Sequence, residues 1–302
     1  MQCDACRREA EIFQPYSGKH LCQVHFFKDF EAKAKRVIRS HGWLRPGDHI
    51  AVVLSGDAPG AALLAFLANL TENRRDIRLS AITIDMGAAG SGMEQSRRIA
   101  AACGAGWFSG SFTERYGTTM DAIVQQEGRE AAGHSVRVLA HDLIGEIAEA
   151  HGVTKCAVAT TVDDRAGGFF SDLLSGTVEH SLRVPGTLGK TRIPVIQPFM
   201  EIPAPEVIRY AELHPECAGG GTLVPCAEDG PGAADARAAL DAYDCRHPAT
   251  KFALANLAGT LMCLAAKTGP DRDVCPACGE PLEGRVCPAC AVRQKYSVRS
   301  LP

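Results

Sequence analysis

The sequence has no long hydrophobic run and no excess of positive charge. No stretch reaches the roughly 18 consecutive apolar residues of a transmembrane helix, so we expect no membrane partner. The opening residues Met1-Gln2-Cys3-Asp4 carry neither a basic start nor an apolar segment, so we expect no secretory signal and a cytoplasmic location. The net charge of -3 excludes a chain that is basic overall, although it permits a local basic face.

Cysteine, in contrast, is abundant, with 13 residues in the chain. Near the N-terminus, Cys3-x-x-Cys6 is followed by Cys22-x-x-His25. In a chain without a secretory signal, such clusters indicate metal binding rather than a disulfide framework. We predict a structural Zn²⁺ held by these four residues, because four protein ligands leave no open position for chemistry. His20 competes as a ligand, but the spacing from Cys22 favours His25.

A second cluster near the C-terminus pairs Cys275-x-x-Cys278 with Cys287-x-x-Cys290. Two such pairs are typical of a zinc ribbon, so we predict a second structural Zn²⁺ here. The four cysteines outside both clusters that lie in apolar contexts are expected to be small buried core residues. They are Cys103, Cys156, Cys245 and Cys263.

Strand and helix patterns alternate through the middle of the chain. This rhythm predicts an α/β fold with a Rossmann-like parallel sheet and helices on both faces. We expect strands at residues 49–54, 79–84, 107–109 and 155–160. We expect helices at residues 26–41, 60–70, 93–103, 135–151, 164–174, 234–243 and 249–266.

Composition divides the chain into five regions. The expected order is an N-terminal zinc finger (1–25), a basic linker helix (26–48) and the α/β domain (49–215). A loop with C-terminal helices (216–270) and a zinc ribbon with a basic tail (271–302) follow.

Several phrases between the two cysteine clusters occur in a specific order. They are Leu44-Arg45-Pro46-Gly47-Asp48, Val162-Asp163-Asp164-Arg165-Ala166, Gln197-Pro198-Phe199 and His247-Pro248-Ala249-Thr250-Lys251-Phe252. With the double cysteine pattern, this order resembles the PP-loop (N-type ATP pyrophosphatase) family, and within it the branch that synthesises tRNA 2-thiouridine. The resemblance covers nearly the whole chain. It implies an adenine nucleotide alpha-hydrolase-like fold, tRNA as the partner, and ATP with Mg²⁺ as cofactors.

The nucleotide loop of that family departs from its pattern here. The family reads Ser-Gly-Gly-x-Asp-Ser, and only Ser55 and Gly56 match. Asp57 puts a carboxylate where pyrophosphate would lie, and Pro59 removes a backbone donor. We therefore expect ATP to bind weakly or not at all, and favour a plain turn over an altered working loop. In the latter case the nucleotide-binding residues would be Ser55, Gly56, Asp57 and Gly60.

Two further family features are altered. The Gly-His-Asn-x-Asp-Asp signature keeps only its aspartates, Asp163 and Asp164, which either hold nucleotide-bound magnesium or cap a helix. The family's C-x-x-C pair falls on Gly133 and Val136. Both thiols of that pair are therefore missing, and the family's third, distant cysteine alone cannot hold a conventional iron–sulfur cluster. We therefore expect no cluster.

The distant cysteine of the family falls on Cys226. Cys217 is a near alternative, and His134 is a weak substitute for one of the lost thiolates. In its polar, Gly-rich loop, Cys226 is the candidate catalytic thiol; the alternative is a leftover residue without a role.

Basic residues concentrate at both ends of the chain. Such concentrations suggest a local phosphate-binding surface, although a solvated helix face is the common alternative. The candidate tRNA-binding residues are Lys28, Lys33, Lys35, Arg36, Arg39, Arg293 and Lys295.

Three functions are compatible with these features. The favoured one is a tRNA-binding, non-catalytic member of the thiolation family or an accessory to an active paralogue. The alternative is an active, divergent tRNA uridine 2-sulfurtransferase using Cys226 or an external donor. The third is a sensor of a small molecule or nucleotide that uses the family's nucleotide cleft. A sulfur-carrier protein and a homodimer are further candidate partners.

Overall fold

The computed structural model describes residues 1–87, 92–176, 187–188, 193–217, 232–268, 275–278 and 287–296. None of the helices in these ranges has the length and hydrophobicity that a bilayer crossing needs. Cys226 lies outside the described residues.

The N-terminal module is a small antiparallel hairpin followed by a long helix. The hairpin consists of β1 (Ile12–Gln14) and β2 (Lys19–Leu21), and α1 spans Gln23–His41. One face of α1 buries apolar residues at helical spacing, including Phe26, Phe30 and Val37. The helix ends at Gly42, which adopts the left-handed conformation that closes a helix C-terminus.

The central sheet has six strands, in the order β5-β4-β3-β6-β8-β7. The first five are parallel, and β7 is antiparallel to β8. The strands are β3 (His49–Val53), β4 (Arg78–Asp85), β5 (Gly106–Ser111), β6 (Lys155–Ala157), β7 (Thr187–Leu188) and β8 (Ile193–Ile196). The predicted Rossmann-like α/β fold is therefore confirmed.

Helices cover both faces of this sheet. The first group is α2 (Ala58–Thr71), α3 (Met93–Ala102), α4 (Phe112–Tyr116), α5 (Met120–Glu127) and α6 (Arg129–Ala150). The second is α7 (Val162–Ser175), α8 (Ala204–Leu213), α9 (Ala233–Asp244), α10 (Thr250–Thr268) and α11 (Pro288–Tyr296). A short 3-10 turn spans Pro215–Cys217.

The largest apolar cluster joins α1, α2 and α8 on one face. Phe30 stacks on Tyr210 with ring centroids 4.1 Å apart and meets Phe199 edge-on at 5.0 Å. The helix α2 is apolar on nearly all sides and largely buried. On the other face, α5 and α6 pack with the C-terminal cysteine module.

The strand order places a topological switch point between β3 and β6. Strands β4 and β5 extend the sheet to one side of β3, whereas β6 and β8 extend it to the other. In open α/β sheets, ligands bind outside the carboxyl ends of the strands at such a point. The loop at residues 54–57 and the segment 158–161 both leave the sheet there.

Several local expectations differ from the structure. The strand predicted at 155–160 ends at Ala157, because Thr161 already caps α7. The helices α4 and α5 were not predicted, and α6 starts at Arg129 rather than at residue 135. Cys156 is buried as expected, but Cys245 and Cys263 are exposed, so the expectation of burial is wrong for both.

Candidate functional site

The loop after β3 is closed by its own carboxylate. Asp57 is the N-cap of α2, and its Oδ1 accepts a hydrogen bond from the Gly60 backbone N–H at 2.9 Å. The residue is only 6% exposed, and burial raises the pKa of its carboxyl. A helix N-terminus is where α/β folds place a phosphate. In this chain the Asp57 carboxylate already accepts a hydrogen bond from one of the backbone N–H groups that would bind a phosphate.

The same loop is held against the turn that precedes α3. Gly56 has a φ of +81°, and a Cβ added there would lie 2.9 Å from the Gly92 carbonyl oxygen. A Cβ at Gly92, whose φ is +65°, would lie 2.4 Å from the Ser55 carbonyl oxygen. Only glycine fits either position without displacing the opposite backbone. The loop therefore packs directly on the neighbouring turn.

The paired aspartates are engaged in helix contacts. Asp164 completes a capping box with Thr161, accepting from the Thr161 N–H at 2.8 Å. Asp163 accepts from the Ala204 backbone N–H at 2.6 Å and from Lys251 Nζ at 2.6 Å. These bonds tie α7 to α8 and α10. The geometry supports the capping alternative over magnesium binding.

Lys251 is the residue of this site that sequence reasoning did not assign, although its phrase was recognised. Its side chain is 16% exposed, and the ammonium group also contacts Asp241 at 2.7 Å. Burial lowers the pKa of Lys251, but the bonds to both carboxylates outweigh it and raise the pKa above its ordinary value. The adjoining depression has a volume of about 220 Å³. That is below the range of about 300–1,000 Å³ usual for small-molecule pockets.

The N-terminal ligand set is brought together by the hairpin and the first turn of α1. The ligand atoms of Cys3, Cys6, Cys22 and His25 all lie within 4.8 Å of one another. His25 Nδ1 is 3.3 Å from Cys22 Sγ. The competing His20 instead stacks on Phe13 with ring centroids 4.6 Å apart. This geometry favours His25 as the fourth ligand.

The C-terminal cysteines form a second compact group. Cys275 Sγ is 3.7 Å from Cys290 Sγ, and Cys278 Sγ is 3.5 Å from Cys287 Sγ. A tetrahedral zinc ion with bonds of about 2.3 Å separates its sulfurs by about 3.8 Å. Both groups could therefore hold zinc.

The C-terminal module docks on α6 through a buried ion pair. Arg293 Nε and Nη2 donate to the Asp142 carboxylate at 2.6 and 2.8 Å. The two side chains are 10% and 7% exposed. Arg293 Nη1 also lies 3.9 Å from Cys290 Sγ. Arg293 thus connects the cysteine group to the α/β domain.

The positions of the missing C-x-x-C pair lie on α6. Gly133 and Val136 are both buried, and Val136 belongs to the apolar cluster that contains the C-terminal cysteines. His134 is exposed and its ring hydrogen-bonds to Arg137 at 3.3 Å. Cys217 is buried, and burial raises its pKa to about 12, which makes it a poor nucleophile at neutral pH.

Most of the candidate tRNA-binding cations are paired with carboxylates. Lys33 is 15% exposed and contacts Asp29 and Glu206. The remaining pairs are Lys35–Glu31, Arg36–Glu201, Arg293–Asp142 and Lys295–Glu127.

Lys28 and Arg39 differ from these five. Both are exposed, and neither forms an ion pair with any residue in the described ranges. They are eleven positions apart on α1, which at 100° per residue places them on the same face of the helix.

Comparison with known proteins finds similarity in the N-terminal module and along most of the chain. Residues 2–27 match the model of the N-terminal LIM domain of the 2-thiouridine synthetase TtuA. The chain is 27% identical over 312 aligned residues to cytoplasmic tRNA 2-thiolation protein 1 of Drosophila erecta, covering 98% of this chain and 88% of the relative. It is 28% identical to the tRNA 2-thiolation protein NcsA of Haloferax volcanii, over 70% of this chain and 72% of the relative.

A solved structure shares the fold over almost the whole chain. The U34-tRNA thiolase NcsA from Methanococcus maripaludis superposes with a TM-score of 0.80 at 18% identity, covering 99% of this chain and 97% of the other. That structure contains a [4Fe-4S] cluster. The expectation that no iron–sulfur cluster is bound is therefore wrong as a prediction. It considered only the lost C-x-x-C pair and left out the two cysteine-rich groups, which could also offer thiolates.

The N-terminal module, the similarity along the chain and the shared fold agree with the resemblance seen in the motifs. Along nearly its whole length, the chain is similar to a protein of the tRNA 2-thiolation family.

Proposed function

We propose that this chain binds tRNA with the fold of the 2-thiolation family and does not carry out the ATP-dependent step, acting as an accessory to an active paralogue. The observation that carries the proposal is the hydrogen bond from the Gly60 N–H to Asp57 Oδ1. A phosphate at this helix N-terminus would have to displace a buried carboxylate and would meet its charge. The location that this role implies is the cytoplasm, where the relatives' name also places them.

The state of the aspartates supports the same conclusion. Asp163 and Asp164 would have to leave an ammonium group and two backbone N–H groups before they could coordinate magnesium. In the described residues, ligand atoms gather closely enough for a metal only in the two cysteine-rich groups. The carboxylates of Asp163 and Asp164 thus have hydrogen-bond partners without a nucleotide.

The outer face of α1 supports the tRNA-binding half of the proposal. Lys28, Lys35 and Arg39 recur on one face of α1, opposite its buried residues. Lys28 and Arg39, at the ends of this row, have no ion-pair partner among the described residues and are about 17 Å apart at 1.5 Å per residue. Two such cations at this separation can contact different phosphates of one RNA backbone. We call Lys28, Lys35 and Arg39 the α1 basic face.

Calorimetric titration with Mg–ATP tests the first half. We expect no saturable heat up to about 1 mM ATP, a concentration that would reveal binding stronger than about -4 kcal/mol. Saturable binding, with AMP released when tRNA and a sulfur donor are added, would contradict the proposal. It would establish instead the alternative, a tRNA uridine 2-sulfurtransferase that uses Cys226 or an external donor.

Fluorescence anisotropy with labelled, unmodified tRNA tests the second half. Replacing Lys28 and Arg39 by Glu is expected to weaken binding and to reduce the salt dependence by about one counterion per lost phosphate contact. The matched control replaces Arg75 and Arg98 by Glu, because both are exposed and neither belongs to α1. Equal losses in the two variants would indicate a net-charge effect and would contradict the α1 basic face as the binding surface.

A further inference from the structure

The turn of the N-terminal hairpin reaches two helices that lie far away in the chain. Tyr16, between β1 and β2, donates a hydrogen bond from its hydroxyl to Glu206 Oε1 of α8 at 2.6 Å. Its ring packs against Phe252 of α10, with ring centroids 4.8 Å apart. The hairpin lies between the ligands Cys6 and Cys22 in the chain. The module that brings the N-terminal ligands together therefore also contacts α8 and α10.

A buried charge network holds Tyr16 in this position. Lys33 Nζ of α1 donates to the Tyr16 hydroxyl oxygen and lies 3.2 Å from Glu206 Oε2. Burial raises the pKa of Tyr16 and the Glu206 carboxylate adds to the effect, so the hydroxyl stays protonated and remains a donor. The Lys33 and Glu206 side chains are 15% and 8% exposed, and separating buried partners of this kind is costly. We call Tyr16, Lys33 and Glu206 the hairpin clasp.

The far end of the hairpin clasp lies beside both partners of Asp163. Glu206 stands two residues after Ala204, whose backbone N–H donates to Asp163 Oδ2 at 2.6 Å. Phe252 directly follows Lys251, whose Nζ is 2.6 Å from Asp163 Oδ1. A movement of the hairpin turn would therefore act on both groups that bind the Asp163 carboxylate.

The hairpin is too small to be ordered by its own strands. Each strand has three residues, and an isolated two-stranded hairpin is marginally stable in water. In small modules of this kind, metal binding supplies folding free energy directly. Leu21, at the end of β2, belongs to the main apolar cluster. Loss of the metal would therefore loosen the turn without detaching the module.

We propose that a metal ion bound by the N-terminal group orders the hairpin turn and, through the hairpin clasp, holds Lys251 against Asp163. The metal site and the Asp163–Lys251 pair are then coupled, although they share no residue. Coupling between two sites is reciprocal, so breaking the pair weakens metal binding by the factor by which metal loss weakens the pair. The inference rests on the metal-ligand assignment and depends neither on tRNA binding nor on the nucleotide loop.

Competitive acetylation followed by peptide mass spectrometry tests the proposal with the zinc-loaded full chain. The rate at which acetic anhydride modifies Lys251 reports how often its ammonium group leaves its carboxylates. Lys155 is the internal control, because it is also 15% exposed and pairs with Asp48. Cys3→Ser removes a ligand of the N-terminal group. It is expected to raise the Lys251 rate relative to the Lys155 rate at least about fivefold, the lower end of typical coupling between sites.

A second variant separates the hairpin clasp from the metal ligands. Tyr16→Phe keeps all four ligands but removes the hydroxyl, so we expect faster labelling of Lys251 at unchanged zinc content. An unchanged labelling ratio in Cys3→Ser protein that has lost its zinc would overturn the proposal. Should Cys3→Ser unfold, Lys155 would also label faster, and an unchanged ratio in Tyr16→Phe would then overturn it.

Transfer of zinc to a chelator tests the coupling from the other side. In a Cys275→Ser background, only the N-terminal group keeps all four ligands. Lys251→Gln is expected to raise the dissociation constant of this zinc at least about fivefold, and by less when Tyr16→Phe is also present. The control Arg209→Gln removes an exposed cation of α8 that pairs with Glu212 and should leave the constant unchanged. Equal dissociation constants with and without Lys251→Gln would contradict the reciprocity and overturn the proposal.

Discussion

Arg293 and Asp142 form a bidentate ion pair that fastens the C-terminal cysteine module to α6. Both side chains are at least nine-tenths buried, and the guanidinium lies beside the Cys290 sulfur. The pair thus links a candidate metal ligand to the helix that carries the positions of the missing C-x-x-C.

Removing one partner of this pair should destabilise the fold strongly. Asp142→Ala leaves a buried guanidinium without its carboxylate, which typically costs about 3–5 kcal/mol. Chemical denaturation monitored by circular dichroism measures the loss. The control is Glu146→Ala, which removes the carboxylate of the exposed Arg115–Glu146 pair on the same helix and should cost less than about 1 kcal/mol. Similar losses of unfolding free energy in the two variants would show that the buried pair stabilises the fold no more than an exposed pair does.

The cap at Asp57 predicts opposite effects for two substitutions. Asp57→Ala removes the acceptor for the Gly60 N–H and should cost about 1 kcal/mol. Asp57→Asn keeps an acceptor but removes a buried charge, so at neutral pH it should be neutral or stabilising. The sign follows from the raised pKa: the charged form is penalised in the folded state, so the penalty is present above the folded pKa and vanishes in acid. Thermal unfolding at two pH values checks both; a destabilised Asp57→Asn at neutral pH would contradict this account.

His141 on α6 predicts a loss of stability in mild acid. Burial lowers its pKa to about 4 from an ordinary value of 6.5, with the nearby Arg137 adding to the effect and Asp142 opposing it. The unfolded chain binds a proton at higher pH than the folded one, so stability falls as the pH drops from about 6.5 toward about 4. His141→Gln should reduce the slope of unfolding free energy against pH by up to about 1.4 kcal/mol per pH unit. The control is His134→Gln, which replaces an exposed histidine on the same helix, and equal flattening in the two variants would contradict the role of His141.

Metal analysis should find the two cysteine-rich groups loaded. We expect two metal-binding groups per chain, with Cys3→Ser and Cys275→Ser each emptying one and Cys245→Ser emptying neither. Elemental analysis distinguishes zinc from iron, and visible absorption reports an iron–sulfur cluster, which zinc does not produce. Chelation is expected to lower the unfolding temperature because the ligands are brought together only in the folded chain. Retention of full metal content in both serine variants would contradict the ligand assignment.

The fold was largely predictable because its periodicities are local. The apolar run at β3 and the amphipathic pattern of α1 each indicate their secondary structure within a few residues. The predicted ends of both elements lie within three positions of the observed ends. The ligand groups were predictable for the same reason, since paired cysteines at short spacing bring their sulfurs together in a turn. The helices α4 and α5 escaped because each is short and buries a single residue, Phe112 or Ile123.

What sequence reasoning could not supply were partners distant in the chain. Lys33 was read as a free cation, but its carboxylate Glu206 lies 173 positions away on α8. Arg293 was read in the same way, although Asp142 is 151 positions away. The choice between capping and magnesium binding for Asp163 depended on Lys251, 88 positions later. Charge patterns along a helix do not reveal which charges the fold neutralises.

The contact between Gly56 and Gly92 has an evolutionary consequence. Each position leaves no room for a Cβ because the opposite backbone stands within 3 Å. A side chain at either one would push the two loops apart and so relax the requirement on the other. Among descendants of this chain, the two glycines should therefore be kept together or lost together. In a relative whose two loops at the carboxyl ends of the strands stand farther apart and admit a larger ligand, we expect both glycines to be replaced.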